Sequence, residues 1–139
     1  MQQPVQLTEL LYRQSIRFFD DCKPNIALCY LQKAINLGLE GINQIILKCE
    51  LLIEQADFEM SNEATKANAF EKLCNALNYI NTMLNLYDDR SELQLSKVKI
   101  LNKLNLHDEA DDLYFSTQTL VLTKGYPYDA PKSVVLRLN

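Results

Sequence analysis

Tryptophan is absent from this chain, and histidine occurs once, at His107. One imidazole supplies no His pair for a zinc site and only a single general base of its type. His107 falls in an expected turn beside Asp108 and Glu109, with no nucleophile at a diagnostic spacing, so it reads as a surface or capping residue. Cysteine occurs at Cys22, Cys29, Cys49 and Cys74, never as Cys-x-x-Cys, which removes the usual zinc and dithiol motifs. Cys29, Cys49 and Cys74 fall on expected apolar helix faces, where a thiol acts as a small hydrophobe. No metal and no cofactor is expected.

Glycine is confined to Gly38, Gly41 and Gly125, too few and too scattered for a phosphate-cradling loop. The four prolines, Pro4, Pro24, Pro127 and Pro131, all lie at edges of apolar runs, so long helices are left uninterrupted. No apolar run approaches the length of a membrane span, and residues 1–6 lack a basic stretch followed by an apolar one. Neither a membrane segment nor a signal peptide is expected, and a reducing cytoplasmic compartment fits the thiols. Basic residues are the minority, 14 Lys and Arg against 18 Asp and Glu, for a net charge of −4. That balance argues against nucleic acid, whose phosphates are held by Lys and Arg. Lys97, Lys99 and Lys103 cluster, but Lys97 and Lys99 project from different faces of a helix.

What the chain does hold is a repeated pattern. Ala27–Leu31–Ala34, Ala69–Leu73–Ala76 and Ala110–Tyr114–Thr117 each read small, large four residues on, then small again three later. Their first residues lie 42 and 41 positions apart, the kind of interval that marks stacked helical hairpins. Apolar spacing places helices over about 7–19, 26–37, 42–56, 68–87, 91–104 and 108–124. Asn25, Ser91 (in a Ser-x-x-Gln capping box) and Asp108 are expected caps. The polar stretch 57–67 is expected to be the longest internal loop or a frayed helix extension. Phe70 is expected on the buried side of the fourth helix. Asn75, Asn78, Thr82 and Asn85 read as its wet side.

At these residues the chain resembles the tetratricopeptide-repeat family, whose second helices carry small–large–small residues at this spacing. Ala27, Leu31 and Ala34 match, with Ser15 and Phe18 at the small and aromatic positions of the preceding helix. The turn from Asn105 to Ala110 is also similar, whereas the middle hairpin matches only in Ala69, Leu73 and Ala76. The interval is longer than the family's, and its first-helix Trp and Gly are missing. The resemblance implies an all-α fold of three stacked antiparallel helical hairpins, an α-solenoid, over about 7–38, 42–87 and 91–122. Residues 123–139 are expected to form a carboxyl-terminal cap, with a short helix from about Asp129 and Pro131 through Leu138, or else an arm docking on a second copy or the start of a further hairpin, in one domain of 1–139.

The resemblance further implies a groove along the first helices of the hairpins that binds a protein or peptide partner. Tyr12, Phe19, Glu50, Glu54, Lys99 and Lys103 are the candidate partner-binding residues. Glu50, Glu54 and Asp57 share one helix face, suited to basic groups of a ligand or simply to solvent. The Lys, Asn and Arg set with which some family members clamp a terminal carboxylate is not at the matching positions. With no catalytic constellation, the expected function is a non-catalytic interaction module, a scaffold or adaptor. The alternative is a small helical chaperone or effector that binds a cognate protein, as a monomer or as a homodimer.

Overall fold

The computed structural model describes residues 4–88 and 90–124. They form six α-helices and, among the described residues, no strand. The helices are α1 (Pro4–Asp20), α2 (Pro24–Asn36), α3 (Ile42–Met60), α4 (Lys66–Leu86), α5 (Ser91–Lys103) and α6 (His107–Lys124). The expected capping segment begins in the last residues of α6, and its remainder, 125–139, lies outside the described residues.

The expected loop over 57–67 is largely helical. α3 runs on to Met60 and α4 starts at Lys66, leaving five residues between them. This stretch is polar because its helical residues pair with other helices. Asp57 meets Lys103 of α5, and Glu59 meets Lys72 of α4. Two hydroxyls close the turn itself, Ser61 Oγ donating to the Phe58 carbonyl and Thr65 Oγ1 to that of Glu59, each at 2.7 Å.

Helix ends follow a common device. Cys22, Gly38 and Asn105 adopt φ of 60°, 108° and 63°, just past α1, α2 and α5. In each case the next residue's N–H returns to a carbonyl five positions earlier: Lys23 to Phe18, Leu39 to Ala34, Leu106 to Leu101. This left-handed closure satisfies carbonyls that a helix end otherwise leaves open. Glycine made one of the three legible in advance; Cys22 and Asn105 adopt the same conformation with a side chain present. The expected caps are displaced. Pro24 opens α2, so Asn25 sits in the first turn, where its Oδ1 accepts from Gln55 Nε2 at 2.6 Å. Arg90 takes the cap position of α5 and Ser91 lies buried inside the helix. Gln94 does not fold back to close a capping box: its Oε1 accepts from Thr117 Oγ1 of α6 at 3.0 Å. α6 begins at His107, one residue before Asp108.

Packing runs through sequential neighbours. α1 packs on α2, α3 on α4 and α5 on α6, while α2–α3, α4–α5 and α3–α5 form the joints. The small residues of the triplets are fully enclosed: Ala27, Ala34, Ala69, Ala76, Ala110 and Thr117 have no accessible surface. α3 is the shared wall of two cores. Leu47 and Leu51 face Ala27 and Leu31, whereas Ile45, Cys49, Ile53 and Ala56 face Ala69, Leu73, Ala76 and Ile80. Each fully buried Leu or Ile contributes roughly 1.5–3 kcal/mol. Two expectations fail for one geometric reason. Cys29 and Cys74, expected on apolar faces, are exposed, as is Phe70. Each stands one or two residues past a buried stripe position, and at about 3.6 residues per turn that offset swings a side chain out of the core. Asn75, Asn78, Thr82 and Asn85 are exposed, as read from the sequence.

Candidate functional site

The candidate residues fall on α1, α3 and α5, with α3 in contact with both of the others. On α3 the carboxylates project at i, i+4 and i+7, on one face. The structure matches two of them to lysines of α5. Lys99 Nζ meets Glu50 Oε1 at 2.6 Å, and Lys103 Nζ meets Asp57 Oδ1 at 2.9 Å. Both pairs advance in the same chain direction, so α3 and α5 run parallel. Glu54, half-buried between the two rungs, makes no ion pair with a described residue. The acidic and basic halves of the expected groove therefore neutralise one another, leaving one uncompensated carboxylate.

Tyr12 and Phe19 play a different part. Both are half-buried and pack, with Ile16, against the core of Ala27 and Leu31 of α2 and Leu47 and Leu51 of α3, so part of their apolar surface belongs to the core. Tyr12 still reaches the surface, where it borders two depressions of about 340 Å³ each. One continues over the α2–α3 turn to Arg90 and Glu92, whose side chains pair at 2.8 Å. The other runs along Thr8 and Leu37. Burial raises the pKa of Tyr12, so its hydroxyl stays protonated and able to donate.

Three features carry no signal in the periodicity. Lys48, half-buried, holds its ammonium 4.3 Å from the centre of the Tyr79 ring and donates to Gln32 Oε1 at 3.4 Å, tying α2, α3 and α4 together. Desolvation lowers its pKa, with the neighbouring Cys49 opposing that shift. The Tyr79 phenol is pushed up to about 12, first by burial. The third feature is a crevice of about 300 Å³ between the α1–α2 turn and the end of α3, bounded by Cys22, Pro24, Ile26, Gln55, Phe58 and Glu59. Phe58 is 80% exposed at its edge. The only sequence hint was an aromatic residue off the 45–49–53–56 stripe, inside a polar stretch.

His107 is exposed, with Nδ1 3.0 Å from Asn102 Oδ1, and serves the α5–α6 turn. Among the described residues no group of three or more His, Cys, Asp or Glu is arranged to hold a metal ion. All four cysteines are free thiols. No described helix is long and apolar enough to cross a membrane. The chain matches no protein-family model, no curated protein and no solved structure, so its family resemblance rests on the quoted residues alone.

Proposed function

We propose that the chain is a non-catalytic protein-interaction module, a stack of helical hairpins similar in plan to tetratricopeptide repeats. It takes a peptide or partner helix along α1, α3 and α5. The observation that carries this reading is the ion-pair ladder between α3 and α5. Its matched order makes the first helices of the second and third hairpins parallel neighbours, as a stack requires. The buried small residues of all three triplets support the same plan. On this surface Glu54 is the carboxylate left for a ligand's Lys or Arg, with the Tyr12 hydroxyl as a second polar contact. A ligand cation can also displace Lys99 or Lys103, because exposed ion pairs are worth little and exchange readily.

The test is selection of a random-peptide display library on the wild-type chain and on a Glu50→Lys/Glu54→Lys variant. Enrichment of basic peptides on the wild type, lost on the variant, supports the reading. Equal enrichment on both rejects an acidic docking face. The homodimeric chaperone or effector is the second reading, and the exposed Phe58 beside its crevice is the observation that favours it.

A further inference from the structure

The crevice at the α1–α2 turn combines a hole and a knob on one patch. Its walls include Pro24 and Ile26, and Ile26 is 42% exposed at the surface. Phe58 stands at the same crevice and leaves 80% of itself in solvent, so it does not fill the space it borders. An exposed Phe forgoes the burial of about 150–250 Å² that an aromatic side chain contributes when covered. The combination suits a symmetric pair, because in a twofold interface residue i meets j and j meets i, so each knob can meet the other copy's hole.

The charges agree with a second copy as the occupant. The end of α1 and the turn after it, whose Cys22 and Lys23 line the crevice, carry Asp20, Asp21 and Lys23, all exposed and without an ion pair among the described residues. Of the acids and bases nearby, Glu59 pairs with Lys72 and Asp57 with Lys103, whereas Arg17 and Glu54 make no ion pair among the described residues and leave the patch both signs of charge. An unpaired patch holding both signs within four residues is complementary to itself when rotated by a twofold axis. A partner of a single strong charge would be repelled by one half of it.

We propose that this face is a homodimer interface in which Phe58 of each copy enters the crevice of the other. Lys23 of each copy then lies against Asp20 and Asp21 of its mate. The patch is small, so the dimer dissociates on dilution. This stands on the crevice and not on the α1/α3/α5 docking surface. Mass reads the one and peptide selection the other, so either can fail alone.

Sedimentation equilibrium of the full chain over a range of concentrations provides the test. The wild type is expected to pass from monomer to dimer as concentration rises. Phe58→Asp should remain monomeric with unchanged helical circular dichroism, and Phe58→Ala should weaken the dimer in the same sense should aspartate disturb the end of α3. Lys23→Glu should weaken association about tenfold or more, a loss of about 1.4 kcal/mol. The triple variant Asp20→Lys/Asp21→Lys/Lys23→Glu restores opposite signs across the axis and should recover the dimer. A wild type that is monomeric throughout overturns the proposal. So does a dimer indifferent to Phe58 or Lys23, or a triple variant no better than Lys23→Glu alone.

Discussion

The Ser15 hydroxyl donates to the backbone carbonyl of Ala27 at 2.6 Å, and neither residue has accessible surface. This bond fixes the rotation of α1 against α2 at the point where Ala27 lets the backbones approach. Ser15→Ala removes the bond without adding volume and should lower stability by about 1–2 kcal/mol, read by urea unfolding. A change under a few tenths would show that packing alone orients the first hairpin.

The middle triplet offers a sharper contrast. Ala69 is fully buried between α3 and α4, and Ala67, two residues earlier, is exposed. Ala69→Leu forces extra methylene groups into a packed joint and should cost about 1–3 kcal/mol. Ala67→Leu should stay within about 0.5 kcal/mol of the wild type. Similar losses for the two variants would contradict the close approach at Ala69.

The α3–α5 ladder should behave as a pair of surface contacts. Lys99→Glu sets a like charge against Glu50 and should lower stability by up to about 1 kcal/mol. The swap Glu50→Lys/Lys99→Glu should recover most of that loss, and the difference should shrink as salt is added. Additive losses in the double variant would place the pair apart in solution.

At alkaline pH the core has a defined weak point. Burial first and Glu50 second, against an opposing Lys48, push the Cys49 thiol from 9.0 to about 12. Burial first and Cys49 second, against a hydrogen bond with Gln44, push the Tyr79 phenol from 10.0 to about 12. Both folded-state values lie above the unfolded ones. Their contribution is therefore intact below about pH 9 and is lost progressively as pH rises toward 12. Thermal unfolding against pH should show a falling midpoint across that window, shallower in Tyr79→Phe. An ultraviolet tyrosinate titration should find one tyrosine ionising with the collapse of the fold rather than before it.

Element existence was the legible part. Apolar spacing placed all six helices because each buries one stripe at the helical period, as Ala69, Leu73, Ala76, Ile80 and Leu84 do. The ends were less legible. α3 continues through Asp57 and Glu59 because lysines on α4 and α5 receive those carboxylates, and periodicity cannot see a partner elsewhere in the chain. Capping was misread at Ser91 for the same reason, since Gln94 turns to Thr117 rather than back to the helix start.

The candidate site divides along the same line. Glu50, Glu54 and Asp57 had to share a face once α3 was a helix, because a four-residue step returns to the same side. Whether that face was open to a ligand depended on what lay opposite it. Lys99 and Lys103 are distant in sequence, and only the docking of α5 beside α3 brought their ammonium groups within 3 Å. The sequence by itself determined the helices and the small residues at which they close, since both follow from local geometry and side-chain volume. Tertiary structure decided that Glu50 and Asp57 are spent on internal pairs while Glu54 is not, that Tyr12 and Phe19 pack against the core, and that Phe58 stands uncovered. Charge pairing and burial depend on distance in space, which a linear pattern does not contain.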